Sequence, residues 1–92
     1  MSTKEDVKAR QTDRDKVLKA LYEVSNGDVT KRVAIEDIRK QNLGAYSLGL
    51  VRSLMVYWVQ KGWVTGIGNK KTMKYFYIKA PAVDYVEGNL IK

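Results

Sequence analysis

The chain contains no cysteine and no histidine, and a single proline. Without cysteine there is no disulfide, no thiol nucleophile and no thiolate metal site. Without histidine the commonest general base and transition-metal ligand are missing too. No GxxxxGK[ST] or GxGxxG phosphate loop occurs; Gly66-Ile67-Gly68 lacks the third glycine and a following helix, so it reads as a turn signal. The carboxylates of the first two helical stretches fall at spacings that capping and surface pairing explain. The sequence therefore predicts a protein that is not an enzyme, with no metal, no cofactor and no evident small-molecule ligand. No apolar run approaches the roughly 20 residues of a membrane span. The opening MSTKEDVKAR is too charged for a secretory signal. These features fit an intracellular, cytoplasmic protein.

A further absence is one of sign. Between Asp37 and Asp84 there is no carboxylate, while Arg52, Lys61, Lys70, Lys71, Lys74 and Lys79 lie in that interval. Of the formal net charge of +7, residues 41–80 carry +6. An acid-free stretch of that length favours a polyanionic partner.

What is present is enough for one domain: 92 residues, 45% hydrophobic, with two Trp, six Tyr and one Phe. Residues 1–11 are polar, with only Val7 as an anchor, and read as a frayed tail or an exposed helical extension. Ser2 or Thr3 followed by Glu5 or Asp6 can cap such an extension. Thr12 with Asp15 predicts the start of a first helix. Val17, Leu18, Leu21, Tyr22 and Val24 form its buried face, and Asn26-Gly27 stops it. Val33-Ala34-Ile35 can add a short strand to a later hairpin. Ile35, Ile38 and Leu43 mark a second helix over roughly residues 36–41, with Glu36 and Asp37 in its first turn and Arg39 and Lys40 in its last, as the helix dipole favours. Asn42 to Tyr46 is a turn in which Gly44 permits a positive φ.

Ser47 to Gly62 reads as the helix around which the rest is organised. Ser47 can cap it and Gly62 can close it in a left-handed conformation. Leu50, Val51, Leu54, Trp58 and either Tyr57 or Lys61 form an apolar stripe. Leu48, Met55, Val56 and Val59 lie partly outside that stripe. After Gly62 the period changes to two: residues 63–67 and 73–78 read as the strands of a β-hairpin whose loop carries Asn69, Lys70 and Lys71. Alternation sets Tyr75 and Tyr77 on one face and Phe76 on the other. These rings can stack on unpaired bases, but core packing is the expectation. Pro81 ends the second strand. Residues 81–92 form an extension interrupted by Gly88-Asn89, which packs back on the domain or pairs with a second copy.

The order of these elements, with the run IEDIRKQNLGAYSLGLVRSLMVYWVQKGWV and the hairpin TGIGNKKTMKYFYI, resembles the winged helix-turn-helix family of DNA-binding domains over about residues 12–80. The resemblance implies an α+β winged-helix fold: three helices and a C-terminal two-stranded wing, with an extra strand at 33–35. It also implies double-stranded DNA as partner, the third helix in the major groove and homodimeric binding, as in a transcriptional regulator. By position, Tyr46, Ser47, Gly49, Arg52 and Ser53 would meet bases, with Arg52 able to contact guanine in bidentate fashion. Asn69, Lys70, Lys71 and Lys74 would meet phosphates through the wing, on the backbone or in the minor groove. Arg39, Lys40 and Gln41 would supply further phosphate contacts. The apolar character of the third helix and its single arginine depart from the family pattern. They keep a second expectation open: an interaction module whose third helix docks on a protein without direct DNA binding.

Overall fold

The structure, a computed structural model, describes residues 4–91, with side chains from Ala9 onward. It is an α+β arrangement of four helices and one three-stranded antiparallel sheet: α1 (Lys4–Ser25), β1 (Val33–Ala34), α2 (Ile35–Lys40), α3 (Leu48–Lys61), β2 (Val64–Ile67), β3 (Tyr75–Ile78) and α4 (Ala80–Asn89).

Helix α1 does not begin at Thr12. It runs unbroken from Lys4, because no Gly or Pro interrupts residues 4–25 and a lone threonine costs a helix interior only a few tenths of a kcal/mol, about 0.5. The expected cap at Ser2 or Thr3 and the anchoring side chain of Val7 lie outside the described residues. At its other end the helix stops as expected, with Asn26 at φ 55° and Gly27 at φ 71°. The Gly27 N–H donates to the Tyr22 carbonyl over 3.1 Å, closing the last turn. Val17, Leu18, Ala20 and Leu21 are buried and form the floor of the core.

Helix α2 buries Ile35 and Ile38, and Leu43 tucks beneath the α2–α3 pair at 3% exposure. The turn between them departs from expectation at one position. Asn42, not Gly44, takes the left-handed conformation, at φ 63°. Asparagine tolerates that region because its short polar side chain relieves the usual Cβ penalty.

Helix α3 has both expected ends. Ser47 Oγ accepts from the Leu50 N–H at 3.1 Å, and Gly62 sits at φ 84° with its N–H turned back to the carbonyls of Trp58 and Val59. Its buried stripe is Val51, Met55 and Trp58: Val51 and Trp58 are as expected, while Met55 takes the place expected of Leu50 and Leu54. Leu50 is turned outward and 43% exposed, Leu54 is half-buried, and Met55 is fully enclosed. Leu50 and Val51 both fit a three- or four-residue spacing, so periodicity alone does not choose between them. Packing against α1 and α2 makes the choice.

In the sheet the order is β1-β3-β2, with Val33 opposite Phe76 and Val64 opposite Ile78. Gly66 faces inward opposite Phe76. A Cβ there would lie 2.2 Å from Met73 Sδ and 3.2 Å from Val59 Cγ2, so its absence lets α3 and the hairpin loop close onto the strand. Phe76 is buried completely, whereas Tyr75 and Tyr77 point away from the core. The expectation that the aromatic run packs inside holds for the middle ring only.

The C-terminal extension is a continuous helix through Gly88, with Pro81 in its first turn, where a missing N–H leaves no intrahelical bond unmade. Ala82 and Val86 are buried. Tyr85 donates to Asp15 at 2.9 Å and Tyr22 donates to Glu87 at 2.8 Å, so α4 packs back on α1. Among the described residues no helix is long and apolar enough to cross a membrane.

Candidate nucleic-acid interface

The residues expected to meet DNA fall into three groups by what the structure does with them. The loop joining β2 and β3 carries a cluster of exposed cations. Lys70, Lys71 and Lys74 are all exposed. Asn69 shapes the loop: its Oδ1 accepts from the N–H groups of Lys71 at 2.9 Å and Thr72 at 3.1 Å, and its carbonyl accepts from Met73 N–H at 2.9 Å. That side-chain turn holds two lysines outward on a tight curve, with Gly68 at φ 108° opening it. Asn69 therefore sets the loop's geometry, and the lysines carry its charge.

A second group lines the first turns of α3. Gly49 and Ser53 are exposed on one face together with Leu50. Ser47 is exposed too, but its oxygen is engaged in capping. Arg52 leans sideways: its Nε donates to the Met73 carbonyl at 3.0 Å, tying the second turn of α3 to the foot of the hairpin. Its guanidinium borders a cleft of about 300 Å³ between α2, α3 and β3, with Glu36, Leu48, Lys74 and Tyr75 among the lining. Arg52 and Lys74 make that cleft cationic, and Glu36 is its one carboxylate. Arg52 is thus held at the junction of helix and hairpin, and not at the centre of the exposed helix face.

The third group is structural. Tyr46 donates its phenolic hydrogen to Asp13 Oδ1 at 2.5 Å, and the hydrogen bond to that carboxylate, reinforced by burial, pushes its pKa up to about 12. The Tyr46 carbonyl accepts from Arg39 Nε at 2.6 Å. Tyr46 and Arg39 thereby lock the α2–α3 turn onto α1. Gln41 is half-buried beside a groove with Lys16 and Lys19 of α1, while Lys40 is exposed.

One constellation escaped the sequence reading. Trp58 and Trp63 stack at 5.3 Å between ring centroids, and Tyr85 tilts against both at 5.9 and 5.2 Å. Arg14 lies 4.0 Å from the Tyr57 ring centroid, Lys61 lies 4.7 Å from that of Trp63, and Trp58 Nε1 donates to the Arg14 carbonyl at 2.8 Å. The five-residue spacing of the tryptophans hints at the pair, but nothing local brings in Tyr85 or Arg14. The cluster cements α4, α1 and the end of α3, and it occupies Lys61, one of the cations that the acid-free stretch assigns to a partner. Compared with known proteins, the chain matches no family model, no curated protein and no solved structure.

Proposed function

We propose that this is a winged-helix DNA-binding protein that engages duplex with the exposed first turns of α3 in the major groove and the β2–β3 loop as a wing on the phosphate backbone. The observation that carries the reading is the tie from Arg52 Nε to the Met73 carbonyl at 3.0 Å. It joins the exposed helix face to an acid-free loop bearing Lys70, Lys71 and Lys74, so that one duplex can meet both. The helix–strand–helix–helix–hairpin order and the β1-β3-β2 sheet support the winged-helix assignment. In this reading the lysines neutralise phosphates and release counterions. Gly49 lets the helix backbone approach the groove, Ser53 offers a hydrogen bond to a base edge, and the remaining N–H groups of Arg52 reach a phosphate or guanine beside the wing. A homodimer reading two half-sites, as a transcriptional regulator does, is the assembly this reading favours.

Anisotropy titration of a labelled random-sequence duplex across about 50 to 200 mM salt tests it. With four to six phosphates engaged, log K falls against log salt with a slope of roughly −3.5 to −5.5. No binding at the lowest salt would refute it. A second reading draws on Leu50, 43% exposed in the middle of the α3 face where a polar reader is expected. There the helix docks on a protein, and duplex affinity is absent.

A further inference from the structure

The outward face of the sheet is built differently from its inward face. Ala34 and Ile67 flank Tyr75 across the ladder, and Thr65 lies opposite Tyr77, so both rings stand above smaller neighbours. Tyr75 is 39% exposed and Ile67 44% exposed, while Tyr77 is half-buried with one side of its ring toward this face. The Arg32 guanidinium lies 4.7 Å from the Tyr75 ring centroid on this face, and Lys74 and Lys79 bracket β3. No carboxylate is present in β2, β3 or their connecting loop. Aromatic rings with Arg32, Lys74 and Lys79 around them and Glu36 as the one carboxylate in the cleft beside Tyr75 match a nucleic-acid strand, whose bases stack on rings and whose phosphates take the cations.

From these placements we infer that the outer sheet face is a stacking surface for a short segment of single-stranded DNA, adjoining the duplex surface of α3 and the wing. Paired DNA is not the ligand for this face, because each base within a duplex is already stacked between its neighbours and offers no free face. Tyr75 and Tyr77 are two residues apart on one strand, about 6.8 Å, whereas bases of a duplex strand follow at about 3.4 Å. Only a strand pulled out of its helical stack can lay successive bases on successive rings. Arg32 adds a planar cation on which a further base stacks or a phosphate rests. The face begins where the hairpin loop ends, so a strand freed at the edge of a bound duplex has a place to go.

The test is anisotropy of a labelled twelve-nucleotide oligo(dT) at about 50 mM salt. The paired change Tyr75→Leu and Tyr77→Leu is compared with Tyr75→Phe and Tyr77→Phe. Loss of two stacked bases weakens binding by about 30-fold or more in the leucine pair, and the phenylalanine pair stays within about twofold because the rings remain. In the unmodified protein, ring protons of Tyr75 and Tyr77 shift on oligo(dT) addition while those of Tyr46 do not; this readout needs no variant to fold. Equal affinity in the leucine pair, or oligo(dT) bound without those ring shifts, overturns the inference. Oligo(rU) held tenfold more tightly than oligo(dT) overturns its assignment to DNA. A random-sequence duplex run in parallel separates this surface from the wing. Its binding depends on Lys70 and Lys71 and not on the tyrosine rings, so either surface can fail alone.

Discussion

The α1–α4 side of the molecule and the α3–hairpin side use charge in opposite ways. On the first, carboxylates are internal acceptors: Asp13 takes a hydrogen from Tyr46, Asp15 from Tyr85, and Glu87 from Tyr22. On the second, the strands and loops from Val64 to Lys79 have no carboxylate, and the loop lysines project into solvent. The separation shows why the net charge of +7 understates how basic one face is. Three of the ten acids, Asp13, Asp15 and Glu87, are engaged in pinning α4 and the α2–α3 turn to α1. A domain divided in this way can lose binding without losing stability, or the reverse, and its variants should sort accordingly.

The substitution that breaks the comparison altogether is Phe76→Ala. Its ring is fully buried on the central strand, with Val33 of β1 on one side and Gly66 of β2 on the other. Removing it should cost about 3–5 kcal/mol, a large share of the 5–15 kcal/mol typical of a domain. Urea denaturation should show the loss, and both sides of the molecule should go together. Lys70→Ala with Lys71→Ala should affect one side alone. Two fewer phosphate contacts flatten the salt slope of duplex binding by about 1.8, while the urea midpoint stays put. An unchanged slope would rule the wing out as the phosphate contact.

The tyrosine–carboxylate bonds test the other side. Tyr85→Phe and Tyr46→Phe each remove a hydrogen bond to an ionised acceptor in a part-exposed setting, and each should lower stability by about 1 kcal/mol with duplex affinity intact. Tyr46 also gives a pH signature. Its pKa is about 12 in the folded chain against 10.0 unperturbed, chiefly through the hydrogen bond to Asp13. Below pH 10 both states hold the proton and the bond contributes fully. Between pH 10 and 12 the unfolded chain gives up the proton first, so stability falls as pH rises. Tyr22 and Tyr85 are shifted in the same direction. Thermal melts across that window should fall less steeply for Tyr46→Phe than for the unmodified chain.

Local chemistry made much of the fold legible. The cap at Ser47, the left-handed Gly62, the buried Leu43 and the change of period after residue 62 are all short-range signals, and the structure contains each of them. The features that escaped are long-range or degenerate. The tyrosine–carboxylate pairs join residues 33 to 70 positions apart, which no spacing rule can reach. The choice of Met55 over Leu50 for the core depends on which neighbour packs where. Gly88 lies inside a helix because Val86 and Tyr85 are held against α1, which outweighs a propensity cost of about 1 kcal/mol. For the candidate interface, the lysines were legible from the missing acids, but Arg52's turn toward Met73 and the outward tyrosines were not. Those depend on the hairpin lying beside α3.

Leu50→Arg is the smallest perturbation and the one that bears most directly on which partner the α3 face meets. The site is exposed, and arginine has nearly leucine's helix propensity, so stability should stay within about 0.5 kcal/mol. If α3 lies in a duplex groove, the new guanidinium stands between Gly49 and Ser53 facing phosphate or base. It should then tighten duplex binding and steepen the salt slope by about 0.9. If Leu50 is instead the apolar anchor of a protein contact, the same change places a charge where desolvation opposes it. Any self-association of the chain through this face should then weaken in sedimentation, with duplex affinity unmoved. The two outcomes have opposite signs on separate instruments, so one variant decides between a groove and a docking site for the most exposed leucine of the helix.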